Sequence, residues 1–94
     1  MNKPRKNSYQ IKWKESAVKS VSKFPKEIRE RIVEKVDELR DSPFLGEPLS
    51  GDLKGLRRIK IGDYRIIYFV DTDKVIIIVV KVGHRSVRYT GETI

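Results

Sequence analysis

Residues 56–70, LRRIKIGDYRIIYFV, hold two runs of alternating polarity on either side of Gly62-Asp63. In the first run, Ile59 and Ile61 share one side of an extended backbone. Arg58 and Lys60 share the other, because successive strand side chains point to opposite faces. Gly62-Asp63 supplies a tight turn, and Tyr64–Val70 is the returning strand. This hairpin sets Arg65 beside Lys60 or nearly so. Downstream, Asp71–Lys74 reads as a second turn. Val75–Val82, VIIIVVKV, is apolar on both faces, as a strand in the middle of a sheet must be. Residues 86–90 are expected to add a short edge strand.

Upstream the period changes. Ala17, Val18, Val21 and Phe24 are spaced for one face of a helix, and Pro25 stops it. Proline also suits the first turn of a following helix, where its missing N–H would have no partner. Ile28, Ile32, Val36 and Leu39 then repeat at helical intervals with charges on the other side. Ser42-Pro43 ends this second helix, and residues 42–55, SPFLGEPLSGDLKG, read as a connecting loop. Near the start, Tyr9, Ile11 and Trp13 alternate with Gln10, Lys12 and Lys14 as a short half-buried strand. Residues 1–7, MNKPRKN, are expected to be a disordered basic tail rather than a secretory signal, since no apolar stretch follows them. The expected class is α+β: an N-terminal strand, a two-helix hairpin, then a twisted antiparallel sheet of three to four strands with the helices on one face. One domain over 1–94 accounts for the length.

Composition narrows the partners. Of 94 residues, 21 are Lys or Arg and 13 are Asp or Glu, a formal net charge of +8. Such a field concentrates polyanions around the protein, which favours nucleic acid first and an acidic protein second. A solvated Lys- and Glu-rich surface is the plain alternative. Cysteine is absent, so neither disulfides nor thiolate metal sites are available, which suits a reducing cytoplasm. No apolar run reaches the roughly 18–20 residues that span a bilayer, so no membrane partner is expected.

Three groups of residues could carry chemistry. Arg58 and Lys60 repel each other on one strand face unless an anion lies across them or water screens them. Arg65 begins a strand that is apolar beyond it, and is either paired with Asp63 or Asp71 or held at the rim for a ligand. Gly83-His84-Arg85-Ser86-Val87-Arg88-Tyr89 follows the most apolar strand and contains the only histidine. A lone histidine is more often structural than catalytic, yet histidine is the usual acid or base near neutral pH. In a meander, Arg58, Lys60, Arg65, Arg85 and Tyr89 can meet on one sheet surface. No His/Asp/Glu cluster has metal-ligand spacing, so no metal ligands are expected, and no Gly-rich loop fits a nucleotide cofactor. A cationic cluster with a tyrosine suits RNA, which carries its own nucleophile in the 2′-OH. Lysine or tyrosine crowded by arginines has its deprotonated form favoured, so either could take the proton.

The stretches PLSGDLKGLRRIKIGDYRIIYFV (48–70) and VIIIVVKVGHRSVRY (75–89), with the helical hairpin around Lys23-Phe24-Pro25, resemble the RelE/ParE superfamily of toxins from type II toxin–antitoxin systems. The likeness runs from Tyr9 to Tyr89. It implies a RelE-like fold and a cytoplasmic mRNA interferase, a hydrolase that inhibits translation. RelE-type toxins cut messenger RNA in the ribosomal A site and leave a 2′,3′-cyclic phosphate, without metal or cofactor. By motif position the family's basic residues fall on Arg58, Lys60, Arg65 and Arg85, and its terminal tyrosine on Tyr89. The first is often lysine in the family; arginine there is a poor proton acceptor and should clamp phosphate. Lys60, Arg65, Arg85 and Tyr89 are thus the expected catalytic set, with Lys60 and Tyr89 as rival bases. Arg57, Arg58, His84 and Arg88 are expected to bind RNA, and His84 resembles a histidine that some members use as acid or base. The resemblance also implies a RelB-like antitoxin, with Trp13, Val18 and Leu45 as candidate contacts. Arg29, Arg31 and Lys35 would meet ribosomal RNA phosphates in a salt-dependent way. The competing implication is a ParE-like toxin that inhibits DNA gyrase and cuts no RNA, which would not need the Arg65, Arg85 and Tyr89 set.

Overall fold

Isoleucine and valine crowd the second half of the chain, and there the backbone is sheet. The computed structural model describes residues 8–87. In chain order they form β1 (Gln10–Trp13), α1 (Glu15–Ser22), α2 (Lys26–Glu38), β2 (Glu47–Pro48), β3 (Arg57–Ile61), β4 (Tyr64–Asp71) and β5 (Ile76–His84). A 3₁₀ turn, Gly51–Leu53, stands between β2 and β3. The strands lie side by side as β1-β5-β4-β3-β2. The α+β class, the N-terminal strand and the helical hairpin stand as expected.

The strands that follow the helices, β2 to β5, are antiparallel as expected. Among the described residues β1 joins them, parallel to β5, so the whole sheet is mixed and has five strands, one more than expected. After the hairpin of helices the chain returns so that β5 slides in beside β1, with the Gln10 N–H donating to the Val75 carbonyl and Lys14 N–H to Val79. Alternation marks β1 as a strand but says nothing of a neighbour so far along the chain. β2, at two residues, is too short for any periodicity. Ser86 lies in a turn and Val87 beyond it, so no edge strand forms over these two. Residues 88–90 lie outside the described residues, as does the expected tail 1–7.

One sheet face carries the core. Ala17 and Val21 of α1 and Ile32 and Val36 of α2, with Leu39 just past it, pack on Ile59, Ile61, Ile66, Tyr68, Ile77, Val79 and Val82. Burying each of the valine, leucine and isoleucine side chains contributes about 1.5–3 kcal/mol. Pro25 caps α2 from one residue before its first turn, with φ −55° and ψ 149°. Among the described residues no helix is long and apolar enough to cross a membrane.

A bulge decides which β5 side chains reach the other face. Ile67 pairs with Lys81, but Tyr68 pairs with Val79, so Val80 is an extra residue. A bulge of this kind re-aims everything beyond it. Strict alternation from the core residue Val79 would point Lys81 into the core and Val82 away from it. The extra residue reverses this: Val82 is buried and Lys81 turns to the open face.

Tyr68 ties the long loop to the sheet. Its ring is fully buried, and its hydroxyl donates to the Pro43 carbonyl at 2.8 Å while accepting the Gly46 N–H at 2.9 Å. Gly46 passes so close that a Cβ there would stand 2.7 Å from the Arg58 carbonyl oxygen and 2.8 Å from the Tyr68 hydroxyl. Arg57 completes the tie by donating to the Gly46 and Phe44 carbonyls at 2.9 and 3.3 Å. Its guanidinium sits 5.1 Å over the Phe44 ring. The loop is thereby pinned, and β2 lies beside Arg58.

Candidate nucleic-acid interface

The sheet face turned away from the helices is cationic. Residues directly opposite in an antiparallel pair share a face, so two rows cross it: Arg58, Ile67, Lys81 and Lys60, Arg65, Gly83. Lys60 therefore stands across from Arg65, a like-charge pair that costs stability when nothing anionic lies between. Arg85 follows the end of β5. Its N–H donates to the Asp63 carbonyl at 2.6 Å, and its Nε lies 3.6 Å from the Asp63 carboxylate. The β3–β4 turn thus holds the segment carrying Arg85. Arg58, Arg65 and Arg85 meet around one cleft of about 320 Å³, floored by the buried Ile67 and walled by Leu49, Leu53 and Val87.

Among the described residues two carboxylates moderate these charges at close range, Asp63 beside Arg85 and Glu47 beside Arg58. Arg58 donates twice to the Glu47 carboxylate, the Nε bond being 3.0 Å. That hydrogen bond first, then the Arg58 charge, then the charges of Lys60 and Arg65, hold the Glu47 carboxyl below the ordinary glutamate range. A group depressed on folding adds stability above its unfolded pKa and loses it as pH falls through the folded value. In a carboxyl ¹³C titration, Glu47 should remain ionised to lower pH than an unperturbed glutamate. In Arg58→Ala the midpoint should move up toward the ordinary range; an unmoved midpoint would contradict the pairing. Among the described residues Arg65 donates only to the Gly62 and Tyr64 carbonyls, at 3.3 and 3.2 Å, and pairs with neither Asp63 nor Asp71. Among the described residues no carboxylate lies within ion-pairing distance of Lys60, Arg65 or Lys81.

The remaining expected site residues fall elsewhere or outside the described chain. Lys60 shares the face of Arg65 by register but borders a second cleft of about 620 Å³, between α2 and the β3–β4 turn, with Arg31, Glu34, Lys35 and Glu38. Arg57 points to the helix side and spends its donors on the 44–46 loop. His84 also sits on the helix side, edge-on to Tyr64 with ring centroids 5.6 Å apart. Arg88 and Tyr89 lie outside the described residues. On α2, Arg29 donates to the Phe24 carbonyl at 3.1 Å, and Lys35 pairs with Glu38 at 2.8 Å. Two residues escape a reading of the sequence. Lys81 reaches the cationic face only because of the bulge, and Glu47 becomes the counter-ion of Arg58 only because a two-residue strand pairs the two.

A different surface is apolar. Trp13, Val18, Val21 and Val33 line a groove of about 320 Å³ on the helical side. Val18 and Val33 are about half exposed, at 50% and 53%, as is Leu45 at 51% on the loop.

Comparison with known proteins adds a family. Residues 11–89 match the family model described as the ParE toxin of type II toxin–antitoxin system, parDE. The toxin RelE of Mycobacterium tuberculosis is 31% identical over 83 residues, 86% of each chain. Among solved structures, a RelBE toxin–antitoxin complex from Mycobacterium tuberculosis aligns with a TM-score of 0.78 at 28% identity, covering 83% of this chain and 99% of that one. The isolated Escherichia coli RelE toxin aligns with a TM-score of 0.73 at 30% identity, covering 82% of this chain and 84% of that one.

Proposed function

The chain belongs to the RelE/ParE superfamily of type II toxin–antitoxin toxins, and from that premise we propose that it is a ribosome-dependent endoribonuclease that cuts messenger RNA without a metal. One observation carries the reading: Arg58, Arg65 and Arg85, from three separate segments, converge on a single cleft with an apolar floor. A phosphodiester is the ligand such a cluster suits. Bidentate guanidinium groups match phosphate oxygens, and their attraction grows as negative charge gathers in the transition state.

The chemistry asks little more of the protein. The 2′-oxygen attacks the adjacent phosphorus, the bond to the 5′-oxygen breaks, and a 2′,3′-cyclic phosphate remains. Lys60 and Tyr89 are the two members of the set able to take the 2′ proton. Arg65 and Arg85 hold the pentacoordinate phosphate, and a protonated group supplies the hydrogen that the departing 5′-oxygen gains. Arg58, released from Glu47, clamps a neighbouring phosphate, and Lys81 extends the track across the sheet. Arg31 and Lys35 on α2 meet ribosomal RNA, which makes binding fall steeply with salt.

A RelB-like antitoxin is the proposed protein partner, as in the toxin–antitoxin complex that this fold resembles. The apolar groove at Trp13, Val18, Val21 and Val33 is its proposed seat, since exposed apolar patches of this kind mark protein interfaces. The competing reading, a gyrase inhibitor, has in its favour the name of the matching family model. Mapping transcript 5′ ends after brief expression separates the two. New ends inside translated codons are expected. Intact messengers accompanied by gyrase-linked DNA breaks would overturn the nuclease reading.

A further inference from the structure

Arg85 differs from the other cations of the cleft in having no strand beneath it: β5 ends at His84. Its aim depends on the turn that follows. Three backbone N–H groups tie that turn down. The Arg85 N–H donates to the Asp63 carbonyl at 2.6 Å, and the Val87 N–H to the His84 carbonyl at 3.0 Å. The Ser86 N–H donates to a side chain, the Nδ1 of His84, at 3.1 Å. The Ser86 hydroxyl lies 2.9 Å from the same nitrogen. Two of the three ties therefore run to His84.

The side-chain tie has a familiar geometry. An acceptor on residue i taking the N–H of residue i+2 is the bond of an Asx turn, which Asn and Asp make with their carbonyl or carboxylate oxygen. Here an imidazole nitrogen takes that place. Accepting at Nδ1 puts the hydrogen of the neutral ring on Nε2. The ring is also held from behind: it stands at 87° to Tyr64 with centroids 5.6 Å apart, and Tyr64 packs 4.8 Å from Phe24. This stack lies on the helix side of the sheet, whereas Arg85 lines the cleft on the other side.

We propose that His84 is a positioning residue whose Nδ1 holds the turn that aims Arg85 into the cleft, while the imidazole itself touches no RNA. Its kinetic consequence rests on the nuclease reading above; the anchor rests on geometry alone.

Two near-isosteres separate this role from proton transfer. Asparagine sets its carbonyl oxygen where Nδ1 stands and can make the same turn, whereas glutamine reaches only the position of Nε2. His84→Asn should cleave messenger on ribosomes within about twofold of wild type, whereas His84→Ala and His84→Gln should lose about ten- to a hundredfold, in kcat rather than KM, as Arg85 drifts. Amide hydrogen exchange at Ser86 should be slow in wild type and His84→Asn, and fast in His84→Ala and His84→Gln. Retained cleavage in His84→Gln with loss in His84→Asn would overturn the proposal, because the ring would then act through Nε2. Equal Ser86 exchange in all four proteins would overturn it too. Should wild type cut no RNA, the nuclease reading fails, and the exchange pattern alone decides the anchor.

Discussion

Arg65→Ala should lower single-turnover cleavage of ribosome-bound messenger by about 10²–10³-fold, the loss typical of removing one preorganised donor from a developing oxyanion. Adding Arg85→Ala should deepen the defect by less than a second full factor, because groups acting on one phosphate are not additive. Growth arrest on expression should vanish in the double variant. The fold should survive. Among the described residues Arg65 bonds only to the Gly62 and Tyr64 carbonyls, and the Arg85–Asp63 pair is exposed, with side chains 63% and 62% accessible. Exposed pairs of that kind contribute about 0–1 kcal/mol. Arg65→Lys keeps the charge but loses the planar fork, so its rate should fall between the two. A double variant that folds and remains fully toxic would contradict the assignment.

The second large effect is on stability. Tyr68→Ala should destabilise the protein by about 3–5 kcal/mol, since it deletes a fully buried aromatic ring and leaves a cavity. Tyr68→Phe isolates the hydroxyl: the buried Gly46 N–H loses its acceptor and the Pro43 carbonyl its donor, at about 1–3 kcal/mol. Gly46→Ala strikes the same joint from the other side, because its methyl would press on the Arg58 backbone and the Tyr68 ring. In a chain of this size each kcal/mol moves Tm by about 4–8 °C, well within reach of a thermal melt. Cleavage should fall with stability, because the same joint places Glu47 beside Arg58 and brings Leu49 and Leu53 to the cleft. Wild-type melting of Tyr68→Phe would show the joint to be idle.

Much of this was legible in the residues. The alternation of Ile59 and Ile61 with Arg58 and Lys60, joined through Gly62-Asp63, predicts the hairpin and its register, and Lys60 does face Arg65. The apolar run ending at Val82 is a central strand, flanked by β1 and β4. Other features have no local signature. The β1–β5 pairing is non-local, so no periodicity in Tyr9–Trp13 reveals it. The bulge at Val80 inverts the facing of everything after it, and a run as uniform as IIIVV conceals which residue is extra. Alternation from the buried Val79 would put Lys81 on the core side, and the bulge makes it a site cation instead. The same inversion turns His84 to the helix side, away from the arginines with which it clusters in sequence. Gly46 and Tyr68 are unremarkable apart, and their closeness is a property of the folded loop alone.

In the proposed reaction RNA supplies its own nucleophile to a phosphate gripped by arginines. The most direct test programs ribosomes with a messenger carrying a single 2′-deoxy nucleotide on the 5′ side of a mapped cut. The all-ribose messenger should be cut there and end in a 2′,3′-cyclic phosphate, and the 2′-deoxy messenger should stay whole at that bond. Cleavage of the deoxy-substituted bond at an undiminished rate would contradict the account.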